Sequence, residues 1–191
     1  MKKQNPVLLA LLIAGMALFI NCSGEKTSDT TETEVAEMEE TPKKEERASP
    51  LRTLEGTIGG KKLTIQYGAP SVKGRVIWGD LVPYNEVWRT GANESTYVDF
   101  ENDMEVEGQT LAAGRYSLFT IPKASGKWTV IFNSEWDLEH GHFQYKQEND
   151  VLRVESSPVF EGESQEQLSI AIESPGIVVR WEKMKLPISI Q

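Results

Sequence analysis

The residues best suited to binding or catalysis are concentrated in residues 66–95. The candidates within this segment are four polar and three large aromatic side chains: Arg75, Arg89, Asn93, Glu94, Trp78, Tyr84 and Trp88. Arginine can hold a carboxylate or a phosphate through two parallel hydrogen bonds. Flat aromatic rings can stack on a sugar or hold a cation. The segment therefore predicts a shallow site for an anionic or sugar-like ligand.

A structural interpretation of the same residues stays open. Buried charges are usually paired, so Arg89 and Glu94 could form an internal ion pair while Asn93 closes a turn. The two interpretations differ in what the substitution Arg89→Ala does. If Arg89 binds a ligand, the substitution weakens binding and leaves the domain folded, whereas a structural Arg89 is needed for folding.

Signals for catalysis are sparse. Three serines, Ser71, Ser95 and Ser117, lack the Gly-x-Ser-x-Gly context of a nucleophile elbow. The chain has only two histidines, and they lie close together in sequence, which argues against a serine hydrolase. A hydrolase that uses Glu94 and one further acid remains open, because sequence spacing does not place two carboxylates at the separation that such chemistry needs.

A metal site would have to use His140 and His142, which flank Gly141. On a strand these side chains would share a face, and Glu135 or Glu139 could add a carboxylate. Two histidines without a firm third ligand are insufficient evidence for a metal centre. We therefore predict no metal and no other cofactor, and we expect the histidines to lie in an exposed turn.

Short strands separated by turn residues must position these side chains. Gly59 and Gly60 supply the positive φ of a two-residue hairpin turn. Alternation of Leu63, Ile65 and Tyr67 with polar residues predicts one buried face. About nine or ten such strands, with no sustained helical periodicity, predict an all-β antiparallel sandwich, with a jelly roll as one arrangement that fits. Within the long loop segment, residues 80–87 are predicted to form a short helical turn.

Composition limits the chain to one folded domain. Of its 191 residues, those from 51 to 191 are enough for one core and too few for two. The formal net charge is −9, and removal of residues 1–21 with Lys2 and Lys3 would make it more negative by two. This charge argues against a nucleic-acid partner.

The N-terminus is typical of an exported precursor. Lys2 and Lys3 precede an apolar run over residues 7–20, which is shorter than the roughly 20 residues that span a bilayer. Residues 1–21 are therefore predicted to be a signal peptide, although an uncleaved anchor helix is the alternative. Cys22 is the only cysteine and follows this run directly. It resembles the lipidated cysteine of a bacterial lipobox, but Asn21 stands where a small residue is usual, so ordinary cleavage nearby is the other possibility.

The next segment is predicted to be a disordered tether, so that residues 22–50 comprise the lipidated cysteine and this spacer. Residues 23–50 hold nine acidic residues and almost no large apolar ones. Such a segment cannot bury enough surface to offset the entropy of ordering. We expect attachment to a membrane through lipid on Cys22, most simply the outer membrane on its periplasmic or surface side.

The motifs of the folded part resemble one bacterial family. Residues 67–75 read Tyr-Gly-Ala-Pro-Ser-Val-Lys-Gly-Arg, residues 77–84 read Ile-Trp-Gly-Asp-Leu-Val-Pro-Tyr, and residues 87–94 read Val-Trp-Arg-Thr-Gly-Ala-Asn-Glu. These stretches, with 111–122, 128–133 and 150–154, resemble the domain of unknown function 2911 family over about residues 50–190. The match is loosest at residues 139–143, where other members tend to have Trp-Gly. The resemblance implies an exported, often lipid-anchored β-domain and implies no particular activity.

Three functions remain open at this point. The first is a non-catalytic ligand-binding or interaction module in the cell envelope, with its ligand face on the loop 68–95. The second is a hydrolase of envelope glycans or peptides, and the third is a purely structural envelope protein. An open cleft that holds Arg75, Arg89 and Glu94 would favour a site, whereas sealed and fully hydrogen-bonded residues would favour a scaffold.

Overall fold

The computed structural model describes residues 47–191. The predicted signal peptide, the lipidation site Cys22 and most of the predicted tether lie outside the described residues. Ten strands and two single-turn 3-10 helices follow one another in the described part: β1 Leu51–Ile58, β2 Lys61–Gly68, β3 Tyr97–Phe100, β4 Met104–Val106, β5 Gln109–Leu111, β6 Gly114–Ile121, β7 Trp128–Asn133, the 3-10 helices Gly141–Gln144 and Gln147–Asn149, β8 Asp150–Ser156, β9 Val159–Glu173 and β10 Gly176–Ser189.

Six strands form one antiparallel sheet in the order β1-β2-β3-β6-β7-β8. Strands β1 and β2 are joined by Gly59 and Gly60, whose φ angles of 59° and 84° are those of the predicted hairpin turn. The predicted inward face of β2 is confirmed, because Leu63, Ile65 and Tyr67 are all buried. The strand order follows the chain, interrupted only by the β4-β5 hairpin, so the sheet is a meander rather than the Greek key of a jelly roll.

The long strands β9 and β10 form a second, two-stranded layer. Its inward residues, such as Ile177, Val179 and Trp181, join one hydrophobic core with Trp128 and Val130 of the large sheet. Two antiparallel layers that enclose one core are the all-β, sandwich-like fold that the strand pattern predicts.

The last strand contains an irregularity. Strand β10 is continuous from Gly176 to Ser189. The register shifts at Glu182, where φ is 54°, and a bulge therefore interrupts the pairing without ending the strand. In its partner β9, the first residues are exposed on both faces.

The segment between β2 and β3 contains turns and isolated bridges only. The helical turn expected over residues 80–87 does not form, because Gly79 at φ 89° and Asn85 at φ 64° interrupt right-handed helical backbone. Hydrogen bonds fix the segment to the sandwich instead: Leu168 donates to Pro70 O at 2.9 Å, and Trp88 exchanges two with Thr120 at 2.7 and 2.9 Å. A loop pinned in this way can hold side chains at fixed positions.

Candidate ligand-binding cavity

The loop segment encloses one side of an open cavity of about 220 Å³. Four of the predicted site residues line it, together with two residues from elsewhere in the chain: Arg75, Trp88, Arg89, Asn93, His142 and Trp181. The structure therefore brings together residues that are separated by more than 100 positions in sequence.

Arg89 is the half-buried cation of the cavity. Its Nη1 donates to the backbone oxygens of Asn93 and His140, the second at 3.1 Å. Its guanidinium carbon also lies 5.3 Å from the ring centroid of Phe143. Within residues 47–191 no carboxylate oxygen lies within 4.0 Å of its nitrogens. Burial lowers the pKa of Arg89, and the negative charge of Glu94 offsets this only in part.

Arg75 contributes a second, more exposed positive charge. Its Nε donates to Val72 O at 3.0 Å and its Nη2 to Ser71 O at 2.5 Å, so two of its three nitrogens hold the backbone of the loop. It too has no carboxylate partner among the described residues. Two arginines line the cavity without an ion-pair partner in this part of the chain, and the negative charge of Glu94 acts on Arg89 only in part, so the lining is positively charged.

A cluster of indole rings forms the deep wall of the cavity. Trp88 and Trp181 are stacked, with ring centroids 5.8 Å apart and an interplanar angle of 19°. Trp78 packs its ring against both of them and lies 4.9 Å from Trp128. These rings therefore serve mainly as mutual packing partners, which the sequence interpretation of Trp78 and Trp88 as ligand-stacking groups did not foresee.

Three buried polar atoms near this wall have no hydrogen-bond partner among the described residues: Trp78 Nε1, Trp181 Nε1 and His142 Nδ1. The indole N–H of Trp88, by contrast, donates to Gly91 O at 3.2 Å. Buried donors without an acceptor are uncommon in folded proteins, since each one costs free energy. Trp181 and His142 both line the cavity, but these two nitrogens are themselves shielded from it, because each has almost no accessible surface.

His142 reaches the cavity from the 3-10 helix Gly141–Gln144, not from a strand as the metal hypothesis required. Gly141 adopts φ 54°, and a Cβ there would come within 2.5 Å of Arg89 Cδ, so the glycine allows the helix to approach Arg89. Burial lowers the pKa of His142, and the positive charge of Arg89 lowers it further. At neutral pH the imidazole is therefore uncharged.

The predicted residues Glu94, Tyr84 and Trp78 do not line this cavity. Glu94 receives two hydrogen bonds from Arg47 Nη2 at 2.8 and 2.7 Å. The expected internal pair between Arg89 and Glu94 is therefore wrong, because Asn93 at φ 66° turns its own carbonyl oxygen toward Arg89. Tyr84 packs over Gly79 instead, where a Cβ would come within 2.7 Å of its ring.

Glu94 lines a separate, smaller cavity of about 90 Å³ beside Trp136 and Glu139. Burial raises the pKa of Glu94, but the hydrogen bonds and charge of Arg47 outweigh this, and the pKa is lowered overall. No group of three or more His, Cys, Asp or Glu side chains that could hold a metal occurs within residues 47–191.

One exposed apolar side chain lines the arginine cavity and another lies beside it. Leu81 lines it and is 44 % exposed, and Phe143, which contacts Arg89, is 77 % exposed. Val76, which follows Arg75 directly, is also largely exposed. Sequence reasoning missed Leu81, Phe143 and Trp181 and considered His142 only as a metal ligand. Only the loop motif containing Leu81 gave any signal for the position of Leu81.

The fold and the cavity define a class: an all-β, sandwich-like domain with an electropositive cavity on one long loop. The chain belongs to the family described as protein of unknown function DUF2911, whose model matches residues 49–190. No curated protein and no solved structure matches it. Within the described part of the chain, no helix is long and apolar enough to cross a membrane.

Proposed function

We propose that this domain is a non-catalytic binding module that takes a small organic anion into the arginine cavity. The observation that carries the proposal is Arg89, a half-buried arginine that lines a cavity and has no carboxylate partner within residues 47–191. A buried charge is costly unless something compensates it. A bound anion supplies that compensation.

An anion fits the cavity better than a neutral sugar does. Sugar-binding sites present a flat aromatic face to the ligand. In this cavity Trp88 and Trp181 stack on each other and are 5 % and 1 % exposed. What remains available to a ligand is chiefly cationic: Arg75 and Arg89.

The hydrolase alternative receives less support from the geometry. Its candidate acid, Glu94, is engaged by Arg47 and lines a different cavity. A general acid needs a raised pKa, whereas the pKa of Glu94 is lowered despite partial burial. A binding role without catalysis accounts for the same residues and does not require a raised pKa at Glu94.

The substitution Arg89→Ala tests the proposal. We expect the wild-type protein to bind acetate or inorganic phosphate, with chemical-shift changes at the Trp181 indole N–H and the Arg89 Nε–H in NMR titrations. Arg89→Ala should reduce the affinity by about tenfold or more, because hydrogen bonds to charged groups contribute about 1.5–3 kcal/mol. The matched control is Arg115→Ala, which removes an arginine on strand β6 outside the cavity.

Two results would contradict the binding role. One is an absence of shift changes in the wild type with either anion. The other is a global unfolding of Arg89→Ala, which would make Arg89 a structural residue. Circular dichroism and denaturant titration of the variant separate loss of binding from loss of folding.

The proposal includes a location in the cell envelope, with export directed by residues 1–21 and lipid attached at Cys22. The support is the positive and apolar leader that ends at the chain's only cysteine. Labelled fatty acid should be incorporated into the wild type and not into Cys22→Ser. Equal labelling of both proteins would contradict lipidation at this residue.

A further inference from the structure

We infer that the ligand of the arginine cavity is an amphiphilic monocarboxylate, such as a medium-chain acid, whose carboxylate lies at Arg89 and whose apolar part lies against Leu81 and Phe143. This inference rests on the proposed function and narrows its ligand class. It uses two independent features of the cavity: the free donors of Arg89 and the exposed apolar side chains beside them.

The free donors of Arg89 match a carboxylate. Both hydrogen bonds that Arg89 donates within residues 47–191 use Nη1, so Nε and Nη2 donate to no atom in this part of the chain. These two nitrogens form one edge of the guanidinium and hold two carboxylate oxygens in parallel. Arg75 uses that same edge to hold Val72 O and Ser71 O, so only its Nη1 is left to donate to a ligand. One bidentate arginine and one single donor suit a monoanion with two oxygens.

The apolar entrance sets the other half of the ligand. Leu81 and Phe143 remain exposed beside the charged groups, and Val76 adjoins Arg75. The cavity volume of about 220 Å³ is below the roughly 300–1,000 Å³ of pockets that enclose a drug-sized ligand. The head group and its first carbons therefore fill the cavity, and the rest of the chain lies over the apolar side chains at the entrance.

The experiment compares four probes on the processed full chain that carries Cys22→Ser, so that no detergent is needed. Isothermal titration with acetate, hexanoate and inorganic phosphate should give the tightest binding for hexanoate, by about tenfold over acetate, because four additional methylenes are partly buried. Hexanamide, which has the same chain without the charge, should not bind measurably.

A matched pair of variants tests the apolar contact. Leu81→Ser should remove most of the difference between hexanoate and acetate. Leu51→Ser is the control, since Leu51 has nearly the same exposure, 43 % against 44 %, and does not line the cavity. An equal effect of both substitutions would contradict the assigned contact.

The outcomes separate this inference from the proposed function. If acetate and hexanoate bind equally and Arg89→Ala weakens both, the amphiphilic ligand is wrong and the anion-binding module stands. Tighter binding of phosphate than of hexanoate would likewise contradict the amphiphilic ligand and leave the anion-binding module standing. If hexanamide binds as well as hexanoate, the carboxylate is not recognised. If none of the four probes binds, both the inference and the proposed function fail.

Discussion

Arg89 and Arg115 both lie against aromatic rings, yet their environments are opposite. Arg115 lies between Tyr97 and Trp136, with its guanidinium carbon 4.7 and 4.6 Å from the two ring centroids. It also donates two hydrogen bonds to Asp99 Oδ2, at 2.9 and 2.5 Å. These hydrogen bonds to Asp99 raise the pKa of Arg115, and burial offsets the rise only in part.

Arg89 has one aromatic neighbour, Phe143, and its hydrogen bonds go only to backbone oxygens. Its pKa is lowered by burial where that of Arg115 is raised by a carboxylate. The charge of Arg115 is thus paired with a carboxylate of the fold, whereas the charge of Arg89 has no carboxylate partner among the described residues. The comparison teaches that residue type and aromatic neighbours alone do not identify a binding arginine. The absence of a carboxylate partner is what distinguishes it.

The largest expected effect comes from disturbing the packing of Arg89. Gly141→Ala adds a Cβ about 2.5 Å from Arg89 Cδ at a residue with φ 54°. We expect a loss of unfolding free energy of about 1–2 kcal/mol from the backbone conformation and a further loss of about 1–3 kcal/mol from overpacking. Anion binding should be lost as well, and urea denaturation with NMR titration measures both.

Gly126→Ala is the control for that variant. Gly126 also has a positive φ, 78°, but a Cβ there would have no atom within 4 Å. It should show only the backbone loss and should bind anions normally. Equal destabilisation by the two substitutions would mean that the contact between Gly141 and Arg89 is unimportant.

The second effect converts the environment of Arg89 into that of Arg115. Asn93→Asp places a carboxylate on the residue whose carbonyl already accepts from Arg89, and aspartate tolerates the φ of 66°. An internal negative charge should compete with the ligand and weaken anion binding by about tenfold, because charges near a protein surface interact by a few kcal/mol at contact. Asn102→Asp adds the same charge outside the cavity and should leave binding unchanged; isothermal titration of both variants decides.

The smallest effect concerns His142, whose pKa is lowered first by burial and then by Arg89. A histidine that is neutral in the folded state stabilises the fold above its unfolded pKa of about 6.5, and that contribution is lost as pH falls below it. Between about pH 7.5 and pH 5.5 the wild type should therefore lose more unfolding free energy than His142→Gln. Parallel pH curves for the two proteins in urea denaturation would contradict the assignment.

Local signals in the sequence were sufficient for much of the fold. The pair Gly59-Gly60 predicted its hairpin, and the alternation around Ile65 predicted the buried face of β2. Such features depend on residues that are neighbours in the chain. The bulge in β10 was not predicted, because it depends on pairing with β9.

The candidate site was predictable only on its loop side. Arg75 and Arg89 stand in one conspicuous segment, but His142 and Trp181 come from distant parts of the chain that approach only after folding. The pairing of Glu94 was missed for a related reason. Its partner Arg47 lies 47 residues earlier, in a stretch whose composition indicated a tether.

The indole cluster gives this protein an optical reporter of its own. Four of its five tryptophans form a connected group, with neighbouring ring centroids between 4.9 and 6.0 Å apart. At such separations the electronic transitions of the rings couple, and the near-ultraviolet dichroism depends on their mutual angles. Because Trp88 and Trp181 line the cavity, a molecule that enters it perturbs this coupled signal, and occupancy can be followed by light without attaching a label.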